Sequence, residues 1–307
     1  MQLKIQQLNA DTTFLLDFDD FTILIDPWLT GSSPIFHESF AVARHTTDST
    51  IQSLAELEKS PDLIIISQAK NDHCHKETLS TLPKTWKGTI AATTAAAKKI
   101  LGWKLFSAEQ VIIIQDYNSS KPAGKIALPN SLRSTAEITL SNIPSPFDLS
   151  AVHNAVAFTI DQIEQTTDPL RVLYTPHGIA PPLLKAYLTK NPDLLPLDIL
   201  IHSLNVEANP LFLGGVIANG APGGLDLVKT CEGRVKNWIG AHDEAKDNGG
   251  IAVKLIRCQA FGVEEVEGML ADAGVDECRV WSLGVGGVLS LEADGEKLHA
   301  KQGTENG

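Results

Sequence analysis

Short apolar stretches, each closed by a polar turn, recur along most of the chain. Lys4–Leu8, Thr13–Asp17 and Thr22–Asp26 alternate or run apolar between Asp-rich turns, which predicts an antiparallel meander. Asp26-Pro27-Trp28-Leu29-Thr30-Gly31 ends that sheet, because Pro removes a ladder donor and Gly permits a turn. Residues 32–50 read as a loop, Ser53–Lys59 as a short helix and Leu63–Ser67 as a buried strand. Helices expected over Lys76–Leu82 and Thr94–Leu101 alternate with strands over Thr89–Ala92 and Val111–Ile114. That alternation points to α/β layering, not to an all-β sandwich.

Residues 117–136 read as a loop or weak hairpin. Strands are expected over Ile138–Ile143, Ala155–Ile160, Arg171–Tyr174, Leu197–His202 and Val235–Ile239, and a helix over Pro181–Thr189. Asn209–Gly224 is Gly-rich and leads into a helix from Leu225 to Cys231. An amphipathic helix over Val263–Ala273 and a strand pair, Arg279–Leu283 with Val288–Leu291, complete the pattern. A single domain over residues 1–294 is expected, with 295–307 as a frayed polar tail.

Composition narrows the class. At 307 residues the chain can bury a large core, and its 43% hydrophobic and 20% charged content is that of a soluble globular protein. The net charge of −12 argues against non-specific nucleic-acid binding. No apolar run approaches the roughly 20 residues that span a bilayer, and Met1–Gln6 lacks a signal-peptide layout. Cys74, Cys231, Cys258 and Cys278 are scattered without a C-x-x-C pair, so free thiols in the cytosol are expected. Cys74 stands out only because it lies in a polar cluster; a small buried residue is the plainer account.

That cluster is Gln68-Ala69-Lys70-Asn71-Asp72-His73-Cys74-His75, placed directly after the apolar strand Leu63–Ser67. A buried strand has no structural need for such an ending. Histidines also stand at the ends of other expected strands: His153 just before Ala155–Ile160, His177 and His242 after strands, and His202 closing one. Any one of them reads most simply as a satisfied structural residue. Together with His73 they point to a site at the sheet edges, where a rigid scaffold positions loops that carry chemistry.

The whole chain resembles the metallo-β-lactamase superfamily, and within it the branch of L-ascorbate-phosphate-lactonase-like hydrolases. Ile23–Gly31 is similar to that branch's opening signature. Asp62–Ser67 followed by Asp72-His73 resembles its metal loop, His-x-His-x-Asp-His, with Gln68 and Lys70 in place of the first two histidines. Thr89–Thr93 resembles the next strand and helix start, Ala151-Val152-His153 the later single-histidine strand, and Gly240-Ala241-His242 the last ligand. His177, in Tyr174-Thr175-Pro176-His177-Gly178, stands where the family has a bridging aspartate. The resemblance implies a four-layer αββα sandwich.

It also implies a metal-assisted attack on an activated carbonyl or phosphodiester. Gln68 is a weak neutral donor, and a protonated Lys70 cannot ligate, so the first metal site of the family is expected to be lost. Asp72, His73 and His242 would hold one divalent ion, Zn, Mn or Fe, with His177 or His153 joining. The leading expectation is therefore a mononuclear enzyme acting on an ester, thioester or lactone, or performing a related lyase or isomerase step. Lys70, Asp72, His73 and His177 are its catalytic candidates. A second reading is a metal-free lyase or isomerase in which the Lys70 ammonium stabilises an oxyanion. A third is a non-catalytic binder of a small molecule or protein.

Supporting positions follow. Gln68, Trp28, Phe36, His37 and Asn205 are candidates for lining a substrate pocket, with Phe36 and His37 the better lid residues and Trp28 closer to a core residue. Asp243 and Glu244 could orient an imidazole. His75 reads as a first-turn helix residue, and His45 and His299 carry no signal. A small-molecule substrate is the expected partner, without nucleic acid or membrane, and a homodimer is the expected assembly because the fold often dimerises.

Overall fold

The computed structural model describes residues 2–18, 21–35, 37, 39–118, 124–126, 136–146, 148, 150–162, 168–210, 214–250, 252–294 and 297–304. Two large sheets form its centre. In the eight-stranded sheet the order is Lys297–Thr304, Gly287–Asp294, Gln2–Gln7, Phe14–Phe18, Phe21–Ile25, Leu63–Ile66, Thr89–Ala92 and Val111–Ile113. The seven-stranded sheet runs Arg279–Trp281, Val235–Gly240, Leu197–His202, Leu170–Tyr174, Asn154–Gln162, Ala136–Pro144 and Gly124–Ile126.

Strands with continuous apolar runs are buried on both faces, and side-chain alternation sends neighbouring residues into different cores. Ile23, Ile25, Leu63 and Ile65 point between the sheets, where they meet Val172, Tyr174, Ile199, Ile201 and Ile239 of the other sheet. Leu24, Ile64 and Ile66 point outward, against Leu79 of helix Lys76–Leu79 and Ala96, Ala97 and Ile100 of helix Thr94–Gly102. Leu173, Leu200 and Trp238 point to the opposite outer face. They pack there against helices Pro181–Lys190, Gly220–Thr230 and Val263–Asp272. Three cores separate four layers, so the fold is the αββα sandwich that the resemblance implied. Among the described residues, no helix is long and apolar enough to cross a membrane.

Register places the working edge. Strands Phe21–Ile25 and Leu63–Ile66 run parallel, Ile25 beside Ile65. In the other sheet Leu170–Tyr174, Leu197–His202 and Val235–Gly240 also run parallel, with Tyr174 beside Ile201 and His202 beside Gly240. The loops leaving four of these five carboxyl ends carry Asp26, Asp72, His73, His177 and His242; the fifth strand, Leu197–His202, lies between two of them.

Several elements differ from expectation. Residues 32–50 contain the hairpin Ser32–Ile35 and Ala41–Arg44, extended by Asp247–Gly249; Gly31 and Pro34 hide its alternation. Ser53–Lys59 is reduced to a 3-10 turn at Leu54–Glu56, and the helix expected over Lys76–Leu82 ends at Leu79. Lys297–Thr304, expected to fray, pairs along its whole length with Gly287–Asp294 as an edge strand. Its polar composition suits an edge strand. The loop expected through Gly224 instead holds the strand Val216–Asn219 and the first turn of a helix that begins at Gly220.

Close packing explains those helical glycines. A Cβ on Gly224 would stand 2.1 Å from ring atoms of the buried Trp238 and 2.8 Å from His202 Cδ2. Gly224→Ala is expected to destabilise the fold by about 1–3 kcal/mol through overpacking, despite the better helix propensity of Ala. Denaturant titration of the purified variant checks this, and an unchanged midpoint would remove Trp238 as the reason for glycine there.

Candidate metal centre

Asp26 organises the edge of the first sheet. Its backbone takes the left-handed conformation, φ 42°, a sparsely populated region for a non-glycine residue. Its Oδ1 accepts from Ser67 N at 2.7 Å, and its Oδ2 accepts from Ser67 Oγ at 2.5 Å. The same Oδ2 takes Tyr174 OH from the opposite sheet at 2.7 Å and His73 Nδ1 at 2.7 Å. Burial raises the Tyr174 pKa well above its ordinary value, with the Asp26 charge adding to the effect. Tyr174 therefore keeps its proton and donates it.

The turn that presents His73 closes on Lys70, whose carbonyl accepts from His73 N at 3.2 Å and Cys74 N at 2.7 Å. Lys99, from helix Thr94–Gly102, staples the turn from behind, its Nζ lying 2.6 Å from Ala69 O, 2.7 Å from Asn71 Oδ1 and 3.3 Å from Cys74 O. The loop is thus braced on both sides by the protein itself.

His73, His177 and His242 converge, each offering a nitrogen within 4.8 Å of the others. His73 Nε2 lies 2.9 Å from His177 Nε2. His177 Nδ1 is 3.0 Å from the Ile217 carbonyl, which can only accept, so that nitrogen carries the hydrogen. His73 Nδ1 likewise donates to Asp26. Both Nε2 atoms therefore turn bare lone pairs towards one another, an arrangement that calls for a cation. A proton is a poor candidate, because burial and the neighbouring His242 and His73 hold His177 well below the ordinary imidazole pKa.

Asp72 supplies a carboxylate at the mouth, its side chain 22% exposed. Its Oδ2 is 3.8 Å from His242 Nε2 and 4.0 Å from His73 Nε2. Burial opposes its ionisation, but His73, His242 and Lys246 overcome this and hold its pKa well below the ordinary value. His242 follows the strand Val235–Gly240 in a left-handed conformation, φ 61°, fixed by a hydrogen bond from its backbone N to Asp11 O at 3.0 Å.

Lys246 and Asp11 complete the surroundings. Lys246 Nζ stands 3.0 Å from His242 Nε2 and 2.9 Å from Asp11 Oδ1. Burial alone would neutralise the lysine, but Asp11, Asp72 and Glu207 raise its pKa instead. Asp11 stays ionised against burial through Lys246 and His242. For His242, burial and Lys246 press the pKa down, and Asp11 and Asp72 outweigh them to leave it raised. Asp11, Asp26 and Asp72, with Glu207 close enough to act on Lys246, outnumber the one ammonium and leave negative charge for imidazoles and an ion to balance. The donor set and the charge both fit a divalent cation.

The remaining sequence candidates are placed as follows. His153 is outside the three-histidine group, its Nδ1 being 3.2 Å from Asp148 Oδ2. Gln68 is buried, with Nε2 donating to Val152 O at 2.6 Å and Oε1 unpartnered. Lys70 is half-buried in the turn before Asp72. Trp28 is fully buried, with the His45 ring 3.8 Å from its own. His37 is exposed, and Phe36 lies outside the described residues. The Asn205 amide spans Phe261 N and Asp243 O. Asp243 does not orient an imidazole; it receives Leu204 N and Asn205 N. Glu244 does hold an imidazole, that of His45, at 2.6 Å. His202 is locked between the Thr175 and Gly220 carbonyls.

Lys246, Asp11, Asp26 and Tyr174 were not singled out from sequence. A polar residue immediately after an apolar strand was the available signal for Asp26; Lys246 sits in Asp-Glu-Ala-Lys-Asp, which reads as a solvated turn.

The Beta-lactamase superfamily domain family matches residues 5–202, more than half of the chain, and the chain belongs to that superfamily. In three dimensions it is similar to Igni18, a novel metallo hydrolase from the hyperthermophilic archaeon Ignicoccus hospitalis, at 17% identity and TM-score 0.59, over 96% of this chain and 100% of that one. It is also similar to a possible metal-dependent hydrolase from Veillonella parvula, at 17% identity and TM-score 0.58, over 92% and 96% of the two chains. A variant of the CmlA beta-hydroxylase shares the fold at 14% identity and TM-score 0.60, over 95% of this chain and 54% of that one. No curated protein matches the chain in sequence. At such identities the likeness establishes the fold.

Two measurements check this local chemistry. Burial pushes the Cys74, Cys231 and Cys278 thiols up to about 12, whereas Cys258 is exposed. A thiol reagent at neutral pH should therefore label Cys258 rapidly and the other three only on unfolding. Mass-spectrometric mapping that finds Cys74 among the fast sites contradicts the buried environment described.

Asp148 gathers Ser150, Val152 and His153, and despite the opposing effect of burial its pKa falls to about 2. A depressed carboxyl pKa contributes stability above the unfolded value, and that stability is lost as pH falls towards 2. Asp148→Asn should cost about 1 kcal/mol at pH 6, solvent screening reducing the full value of the shift, with the gap to wild type narrowing between pH 4 and 2. Denaturant titrations across that range provide the test.

Proposed function

We propose that this chain is a mononuclear metal-dependent hydrolase acting on an activated carbonyl, such as an ester, thioester or lactone, of a small organic substrate. The carrying observation is the 2.9 Å approach of two imidazole nitrogens whose other ring nitrogens already donate hydrogen bonds. His73, His177 and His242 would hold the ion, with Asp72 as an oxygen donor. A divalent ion bound there supplies an acidified water and polarises a substrate oxygen.

The chain's own residues do the rest. Asp26 fixes the His73 tautomer and ring orientation, and Ile217 O does the same for His177. Asp72, with its pKa held well below the ordinary value, serves better as a hydrogen-bond acceptor that aims the nucleophile than as a store for its proton. Membership of the L-ascorbate-phosphate-lactonase-like branch is supported by the order of landmarks from Ile23 to His242, and it makes lactones and phosphorylated sugar acids the first substrates to try.

A metal-free lyase or isomerase is the second reading. The observation in its favour is a buried, charged lysine beside an imidazole, and the residue so placed is Lys246, whereas the sequence pointed to Lys70. Elemental analysis separates the two. The leading reading expects about one equivalent of Zn, Mn or Fe, retained in His153→Ala and lost in His177→Ala and His73→Ala. Hydrolysis across a lactone and thioester panel should fall with metal content, by about 10²-fold or more in the histidine variants. Turnover by a protein free of metal would sink the hydrolase reading in favour of the second.

A further inference from the structure

Lys246 lies where a cation is needed and already supplies one. Its side chain is 7% exposed, and its Nζ donates towards His242 Nε2 at 3.0 Å. Asp11 anchors the ammonium in a close ion pair at 2.9 Å, off the ideal hydrogen-bond angle, and neither Asp11 oxygen finds another partner. With Nε2 accepting, the hydrogen of His242 is on Nδ1, which is buried without a partner. His242 Nε2 also lies 3.8 Å from Asp72 Oδ2, so Lys246 approaches the nitrogen that faces the carboxylate of the centre.

We propose that Lys246 is an internal competitor for the ion: its ammonium occupies the His242 lone pair and so weakens and limits divalent-cation binding at the centre. This rests on the mononuclear reading above. Two physical effects act together. A ligand nitrogen cannot give one lone pair to both a proton donor and a metal, and an ammonium beside a divalent ion is repelled by it with little screening in a buried setting. Among the described residues, no ammonium is placed against His73 Nε2 or His177 Nε2 in this way. The arrangement therefore divides the three imidazoles into two free ligands and one that has to be displaced. Lys246 is a positioning residue here, acting through His242. It offers the centre a resident positive charge that keeps Asp11 and Asp72 compensated whatever the metal supply.

The test is metal affinity, not turnover. Zn and Mn binding to the full chain are measured by competition with a chromophoric chelator, with stoichiometry from elemental analysis. Three variants are compared with wild type: Lys246→Met, Lys246→Arg, and the double variant Asp11→Asn with Lys246→Met. The double variant removes the buried ion pair as a neutral unit, so it remains informative if the single Met variant leaves Asp11 uncompensated and unfolds. Binding at least tenfold tighter in the Met variants is expected, with Lys246→Arg close to wild type because it keeps the charge.

Affinity in the double variant within twofold of wild type, or weaker, while wild type holds one equivalent, overturns this inference and leaves the hydrolase reading intact. If neither wild type nor any folded variant binds Zn or Mn, the metal reading fails and this inference with it. A wild type free of metal beside a Met variant that binds one equivalent is the competition in its strongest form, and supports the inference.

Discussion

One carboxylate joins the two halves of this molecule. Asp26 leaves the last strand of the opening meander and is met by Ser67 from the neighbouring strand, His73 from the loop beyond it and Tyr174 from the opposite sheet. A buried carboxylate is costly unless its lone pairs are filled. Here the groups that fill them are the groups whose placement defines the centre. Tyr174 brings the parallel strand that leads to His177, and His73 is turned so that its second nitrogen faces that residue. Sheet packing and ligand orientation are set by the same acceptor, so a change at either alters the other.

Around that anchor the centre is arranged by charge. The superfamily fold delivers loops from five parallel strand ends to one edge, and this chain lines that edge with more negative than positive groups. Imidazoles alone do not balance them, since His177 is kept neutral by burial. The protein answers with one fixed ammonium, and the remaining demand is what a divalent ion satisfies. Gln68, with its amide nitrogen committed to Val152 O, and the half-buried Lys70 precede the turn that presents Asp72 and His73.

Much of this was legible in the chain. Apolar runs such as Leu63–Ile66 gave the buried strands, since their composition is what a strand covered on both faces requires. Polar residues right after those runs marked the edge, and Asp72, His73, His177 and His242 do meet there. Other features were hidden for physical reasons. Lys246 and Asp11 are charged residues in polar turns, and only the tertiary fold removes them from water and sets them against His242. Gly220, Gly223 and Gly224 read as flexible loop, while each answers to a close neighbour: Gly224 to Trp238, Gly223 to the Asn219 side chain and Gly220 to the Asn205 backbone. The hairpin at Ser32–Arg44 was masked by Gly31 and Pro34, which usually signal a loop.

The pairing of Gln2–Gln7 with Gly287–Asp294 bears on how the protein comes into being. Strand Gln2–Gln7 gains its second neighbour only when Gly287–Asp294, far along the chain, joins it. The groups of the centre are spread from Asp11 to Lys246, so closing it requires contacts between distant parts of the chain, whose loop-closure entropy makes them slow to form. A nascent fragment cannot assemble the cradle, and an ion cannot nucleate the fold around one local motif as it does in a zinc finger. An ion held at this centre would therefore load only after both sheets had closed, and its retention would report that closure.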